Sequence, residues 1–285
     1  MPDVSTNTGS KTIDSLLTMF DDGRLLLPEI QRDFVWKRPS VESLVDSLYN
    51  GLPIGFLLVW KPGTAVAAKP VHGSRRRRAP QAQERYGYLL DGQQRLTALL
   101  LVRERDDAYP LLYYAWPDAE REGDKRFYWR ARNEAPSPWS IPVADALHDG
   151  FEVVTRLAEL RGDPAWKPEH EGPVLAGLTA LKAIRNYPVG VLEFETDDYR
   201  KATELFVRFN STGRKLRRGD LAMARLAIDL PDLASSRIRP AADKWKAMGF
   251  TAPFLVQCLL AVHTARFQMR EPGKLWAGED GKQVR

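Results

Sequence analysis

The chain has 285 residues, enough for one large domain or two of ordinary size. Hydrophobic residues make up 44% and charged residues 28%, proportions that argue against a disordered or fibrous protein. The single cysteine, Cys258, excludes an internal disulfide and a cysteine-based zinc site, and its apolar neighbours predict a place in the core. The net charge of +5 suits a polyanionic partner but does not establish one.

The sequence predicts neither a secretion signal nor a membrane span. The first twenty residues lack a charged segment followed by an apolar one. The longest apolar runs, at 55–60 and 96–102, fall far short of the roughly 20 residues that cross a bilayer. We therefore expect a cytoplasmic protein without membrane contact.

The first half of the chain alternates between helical and extended patterns. Residues 1–11 are polar and predict a flexible tail. Hydrophobic spacing and breaker residues then predict, in order, a helix at 13–20, an extended piece at 24–30, a helix at 39–48, a strand at 55–60, a strand at 86–90, a helix at 96–105 and strands at 111–116 and 127–129. The aperiodic segment 62–86 is interpreted as a basic loop. Residues 12–140 are thus expected to form an α/β core whose single sheet continues through 111–129.

Helical patterns dominate from residue 141 onward. Residues 141–230 are expected to be a helical extension, with helices at 151–160, 174–185, 198–209 and 220–228 and a returning strand at 189–194. Residues 231–285 predict a further helical segment interrupted by prolines. The predicted fold class is α/β in the α+β sense, a mixed sheet with surrounding helices followed by a mainly helical C-terminal part.

The motif Asp91, Gly92, Gln93, Gln94 and Arg95 falls at a predicted strand-to-helix junction. The first N–H groups of a helix lack intrahelical partners and the helix dipole is positive there, so this position suits a phosphate. Gly92 allows close approach, Arg95 can clamp an anion, and the two glutamines can donate hydrogen bonds. Asp91 is placed to hold a magnesium ion or a sugar hydroxyl. Alternatively, Asp91 only caps the helix while its neighbours solvate the first turn.

Two further segments carry polar residues beside turns. Gln31 and Arg32 precede two aromatic residues, and they would face the same phosphates if this segment lies beside the Asp91 strand. In the alternative the aromatics are core residues and Arg32 is solvated. Asn210 ends a predicted helix, and together with the polar loop that follows it could reach the site or only shape a turn.

Four consecutive arginines, Arg75, Arg76, Arg77 and Arg78, lie in the predicted loop 62–86. They could bind the DNA backbone with salt-sensitive affinity, although a charge run in a loop is more often a solvated segment. The four histidines are scattered without the spacing of metal ligands. The sequence has no P-loop, dinucleotide fingerprint or nucleophile elbow, which excludes the commonest NTPase, dehydrogenase and hydrolase classes.

Taken in order, segments 27–36, 90–99 and 206–221 resemble the signature of the N-terminal domain of GmrSD-type restriction endonucleases. This family is placed with the ParB and sulfiredoxin-like fold, so the resemblance implies a ParB-like mixed sheet. The turn from Gly92 to Arg95 is similar to the phosphate turn of ParB-like proteins. By the same resemblance, the nucleotide motif is matched by Asp91, Gln93, Gln94 and Arg95, its companion motif by Gln31 and Arg32, and the third polar motif by Asn210.

The resemblance implies a nucleotide-binding, NTP-hydrolysing component of an anti-phage system that restricts foreign or modified DNA. Catalysis would rest on Asp91, Gln94 and Arg95. The cofactors would be a nucleoside triphosphate and Mg²⁺, with Asp91 as a metal ligand and the nucleotide held by Gln31, Arg32, Gly92, Gln93 and Asn210. Family members often work with an HNH-type nuclease, and since the chain shows no such His-Asn-His arrangement, the nuclease is expected elsewhere.

Two other functions remain open at this point. One is a DNA-binding sensor that uses nucleotide as a conformational ligand without turnover, with the four arginines as DNA contacts. The other is a self-sufficient nuclease with its metal at Asp91. The expected partners are a nucleoside triphosphate, foreign or modified DNA and an HNH-type nuclease domain or subunit, with homo-oligomerisation left open.

Overall fold

The computed structural model describes residues 5–28, 31, 34–64, 68–69, 86–107, 109–116, 126–135, 139–211, 226 and 233–264. The strands within these residues are β1 Ser5–Thr12, β2 Leu25–Pro28, β3 Leu57–Lys61, β4 Ala68–Lys69, β5 Gly87–Asp91, β6 Leu111–Ala115, β7 Phe127–Arg130, β8 Ser140–Pro142 and β9 Pro188–Glu195. The α-helices are α1 Ile13–Asp21, α2 Arg38–Tyr49, α3 Gln93–Arg103, α4 Val143–Ala146, α5 Val153–Arg161, α6 Glu171–Ala183, α7 Tyr199–Ser211, α8 Arg239–Lys244 and α9 Ala252–Thr264.

A mixed six-stranded sheet forms the centre of the fold, in the order β1-β9-β3-β5-β2-β4. The β9–β3 and β5–β2 pairs are parallel, and the remaining neighbours are antiparallel. The strands predicted at 55–60, 86–90 and 189–194 correspond to β3, β5 and β9. The predicted α/β class with a mixed sheet is confirmed.

The continuous apolar runs of β3 and β5 arise because both faces of the sheet are covered. Successive side chains of a strand point to opposite faces. Accordingly, Leu57 and Val59 join the larger core cluster formed with α1, α2 and α3. Leu58 and Trp60 join a second cluster on the other face, where they meet α7. The sheet therefore separates two cores, and its central strands read as uninterrupted hydrophobic sequence.

The flexible tail predicted for residues 1–11 is wrong for its described part. Residues 5–12 form β1, which pairs with β9 along its whole length, from Ser5 opposite Glu195 to Thr12 opposite Pro188. The strand is polar and exposed, so its hydrophobic pattern carries no strand signal. Its order comes from the backbone ladder with β9, a partner far away in the sequence.

The expectation that one sheet continues through residues 111–129 is also wrong. The hairpin pairing of β6 with β7 is as predicted, but these strands form a separate three-stranded sheet in the order β7-β6-β8. Its inner side chains pack against the larger core through Leu112, Tyr114 and Phe127. A short strand, β8, pairs with β6 and completes this sheet.

The described C-terminal residues 233–264 are helical, as predicted, with α8 and α9 joined by a short 3₁₀ turn. Cys258 lies exposed on α9, so its predicted place in the core is wrong. The apolar run around it belongs to a helix that buries only part of its circumference, since Val256 is buried while Leu259 is exposed. Among the described helices, none combines the length and the apolar character that a bilayer span requires.

Candidate functional site at the β5–α3 junction

The strand-to-helix junction predicted around Asp91 is present. Asp91 is the last residue of β5, Gly92 is the N-cap of α3, and the helix starts at Gln93, a turn before the predicted start at residue 96. The first helical hydrogen bond runs from the Leu96 N–H to the Gly92 carbonyl, at 3.1 Å. The N–H groups before Leu96 have no acceptor within the helix, so the positive end of the α3 dipole faces this turn.

Glycine is required at position 92 for two separate reasons. Its φ of +94° lies in the left-handed region, which side chains disfavour. A Cβ placed there would also come within 2.0 Å of Leu57 Cδ2, and Leu57 is 99% buried in β3, having only 1% of its surface exposed. The turn therefore lies directly against β3, with no room for any side chain at this position.

Arg95 holds this turn to the loop that precedes β3. Its Nη1 donates to the Ile54 carbonyl at 2.6 Å, and its Nη2 donates to the Phe56 carbonyl at 2.8 Å. The same Nη2 donates to Asp91 Oδ2 at 3.0 Å. The guanidinium thus bridges two main-chain carbonyls and one carboxylate. The phosphate contact predicted for Arg95 stays a prediction.

Burial and the neighbouring charge of Asp91 have opposite effects on the pKa of Arg95. Desolvation lowers the pKa of Arg95 from its ordinary value, and attraction and hydrogen bonding to Asp91 partly offset that effect. Arginine stays protonated all the same. The Arg95 side chain is only 14% exposed, whereas that of Asp91 is 40% exposed. Of these two charged groups, the Asp91 carboxylate is therefore the one that is more accessible to solvent.

Gln31 ties the companion segment to β5. Its Nε2 donates to the main-chain carbonyls of Leu89, at 3.0 Å, and of Leu90, and the residue is 6% exposed. The main-chain carbonyl of Gln31 accepts a hydrogen bond from Arg239 Nη2, on α8, at 3.4 Å. The structure thus brings Gln31 next to the Asp91 strand, as the sequence analysis required of a shared site. Arg32 lies outside the described residues.

The two glutamines of the motif are buried rather than solvated. Gln93 is 5% exposed and Gln94 is 8% exposed. The Oε1 of Gln94 accepts from the Val35 N–H at 2.8 Å, a second tie between the motif and the segment after Gln31. The alternative prediction, that these residues only solvate the first turn of α3, is therefore wrong for Gln93 and Gln94.

The third segment contributes through α7, which packs against β5. Phe206 is 1% exposed and joins the second core cluster. Asn210 lies in the last turn of α7, whose end at Ser211 agrees with the predicted stop. The polar loop after α7, the predicted helix at 220–228 apart from residue 226, and the arginines Arg75, Arg76, Arg77 and Arg78 lie outside the described residues.

The loop at residues 54–56 was not predicted to contribute to the site. Gly55 has a φ of +86°, and a Cβ there would lie 3.0 Å from Arg95 Nη1. The next residue, Phe56, is 66% exposed. The predicted strand began at Gly55, and a glycine at the start of a strand is a signal for a tight turn. Nothing in the local sequence, however, indicates that Arg95 donates hydrogen bonds to the carbonyls of this turn.

No preformed metal cage exists in the described part of the chain, where no three His, Cys, Asp or Glu residues cluster. Magnesium keeps several waters and binds through one or two carboxylates plus substrate phosphates. Asp91, exposed at the turn, would supply that carboxylate.

These features define an α/β protein with a polar junction at the carboxyl end of a central strand, where open α/β sheets commonly bind ligands. The family model for the GmrSD restriction endonuclease N-terminal domain matches residues 13–227. The chain belongs to this family and is a component of a restriction system, a defence against foreign DNA. Comparison with curated proteins gives no significant match.

The role of Gln31 as a tie can be measured directly. Replacing Gln31 with methionine keeps its length but leaves the Leu89 and Leu90 carbonyls without this donor, so we expect a loss of about 1–3 kcal/mol in the free energy of unfolding. The same substitution at Gln257, exposed on α9, is the control and should change stability little. Urea denaturation of both variants is the measurement. Equal effects would show that the Gln31 amide contributes nothing specific.

Proposed function

We propose that the chain binds a nucleoside triphosphate with Mg²⁺ at the β5–α3 junction and hydrolyses it, and that this turnover regulates an HNH-type nuclease in another domain or subunit. The observation that carries the proposal is the exposed Asp91 carboxylate beside the N-terminus of α3. Helix N-termini bind phosphate through backbone N–H groups and the dipole. Membership of a restriction family makes DNA the end target of the system.

The proposed reaction is attack of water on the γ-phosphorus of the nucleotide. A new P–O bond forms to the water oxygen, the bond to the β–γ bridging oxygen breaks, and a nucleoside diphosphate, inorganic phosphate and a proton are released. Magnesium would neutralise charge on the phosphates. Asp91 would hold the ion, and Arg95 would fix the orientation of Asp91.

The remaining residues of the motif and of its companion segment support this site. Gly92 allows the backbone to turn closely under a phosphate, and the N–H groups of Gln93 and Gln94 lie in the first turn of α3. Gln31 holds β5 by donating to the main-chain carbonyls of Leu89 and Leu90. Direct contacts of Arg32 and Asn210 with nucleotide stay predictions from the family motif.

Asp91→Asn tests the proposal with a minimal change. Asparagine keeps an oxygen that accepts from Arg95 but loses the charge that would hold magnesium, so we expect phosphate release to fall at least about tenfold while the melting temperature stays close to that of the wild type. The assay measures phosphate released from ATP, GTP, CTP and UTP with magnesium, with and without DNA.

A matched control is Glu159→Gln on α5. Glu159 also pairs with an arginine, Arg156, at 2.7 Å, but lies away from the junction, so its turnover should equal that of the wild type. Unchanged turnover in Asp91→Asn would reject the proposed role of Asp91. Nucleotide binding without turnover in the wild type would instead select the DNA-sensor function with nucleotide as a conformational ligand.

A further inference from the structure

Phe56 is a large apolar side chain held in an exposed position. It keeps 66% of its surface exposed, whereas Phe209 and Phe254 keep 41% and 43%. A single exposed hydrophobic residue needs no explanation by itself. The way Phe56 is held distinguishes it.

Three features of the surrounding structure fix this residue. Arg95 binds the carbonyls of Ile54 and Phe56, so the main chain is held on both sides of Gly55. The positive φ of Gly55 makes the turn that presents Phe56. On β9, the absence of a side chain at Gly190 makes room for the ring, because a Cβ there would lie 2.4 Å from Phe56 Cε1 and 2.5 Å from Cδ1.

The held ring is coupled to the proposed phosphate turn. The Phe56 carbonyl and Asp91 Oδ2 lie 2.8 and 3.0 Å from the same Arg95 nitrogen. A second exposed apolar residue, Val35, is 52% exposed and bound through its N–H to Gln94, the neighbour of Arg95 in the first turn of α3. The polar junction is thus accompanied by two exposed apolar residues, each of whose main chain is hydrogen-bonded to a side chain of α3.

We infer that the Phe56 ring is the platform on which the base of the bound nucleotide stacks. This inference rests on the proposed function. A nucleotide combines anionic phosphates with a planar apolar base, and the junction combines an N-terminal helix turn and a carboxylate with an exposed, pre-positioned aromatic ring. Bases stack on aromatic side chains largely independently of their identity, because every base has a π-face. Phe56 would therefore add affinity for nucleotides in general.

The test compares ligands with and without a base. Binding of non-hydrolysable analogues of ATP, GTP, CTP and UTP, of inorganic tripolyphosphate and of a single-stranded oligonucleotide, each with magnesium, is measured by titration calorimetry for the wild type, Phe56→Ala, Phe56→Trp and Met248→Ala. We expect Phe56→Ala to weaken nucleotide binding on the order of tenfold and to leave tripolyphosphate binding unchanged. Phe56→Trp should retain nucleotide affinity. Met248, 67% exposed on the turn between α8 and α9, is the matched control and should behave as the wild type.

Each other outcome overturns the inference in a distinct way. If the wild type binds nucleotide and Phe56→Ala binds it equally well, Phe56 is not the stacking platform, and the proposed function is unaffected. Equal weakening of tripolyphosphate shows that the substitution damages the turn rather than a base contact. A loss confined to a single-stranded oligonucleotide places a DNA base on the ring. A wild type that binds neither nucleotide nor tripolyphosphate overturns the proposed function together with the platform.

Discussion

Replacing Gly92 with alanine is expected to lower the free energy of unfolding by roughly 2–5 kcal/mol. Part of the loss comes from forcing a side chain into the left-handed region at φ +94°. The larger part comes from Leu57, because its Cδ2 lies 2.0 Å from the position of the new Cβ. Leu57 is packed in the main core and cannot move aside without disturbing its neighbours.

Gly150→Ala separates these two contributions. Gly150 also has a positive φ, +82°, but a Cβ there meets nothing within 4 Å. It should therefore cost only the backbone term, about 1–2 kcal/mol. Urea denaturation of both variants, followed by circular dichroism, gives the difference. Equal losses would mean that β3 yields to the new methyl group, and that the tight contact between the turn and β3 is not required for stability.

The parts of the fold that local pattern specifies were predictable. The apolar runs of β3 and β5 are uninterrupted because both faces of these strands are buried, and such runs bounded by turn residues indicate strands. The junction after Asp91 was predictable as well, since the change from strand to helix pattern falls at Gly92. The predicted start of α3 was three residues too late because Gln93 and Gln94 are polar, although both are buried.

The parts that depend on distant partners were not predictable. The polar strand β1 exists because β9 supplies a complete backbone ladder, and its own side chains give no alternation to detect. The contacts of Arg95 belong to the same class, since its carbonyl acceptors lie 39 and 41 residues earlier in the chain. A sequence motif identifies Arg95 as an unusual residue. Only the tertiary fold identifies Ile54 and Phe56 as its partners.

Arg95→Ala is expected to cost about 1–3 kcal/mol of stability, mainly because it removes the donor from the main-chain carbonyls of Ile54, which is partly buried, and Phe56, which is exposed. The ion pair with Asp91 contributes less, because that carboxylate is 40% exposed and is screened by water. Arg95→Lys should recover part of the loss at most, since an ammonium group cannot reproduce the planar fork that reaches all three acceptors.

Arg208→Ala is the matched control, because Arg208 also pairs with a carboxylate four residues before it, Glu204, at 2.6 Å. That pair is exposed on α7, with 72% and 60% of the two side chains accessible, and should contribute below about 0.5 kcal/mol. Urea denaturation measures the stability of each variant, and amide hydrogen exchange at residues 54–57 measures the loop itself. Faster exchange in Arg95→Ala alone would establish that this arginine stabilises the protein through the loop before β3. An Arg95→Ala variant as stable as Arg208→Ala, with unchanged exchange, would show that the contacts of Arg95 with the loop before β3 are dispensable for stability.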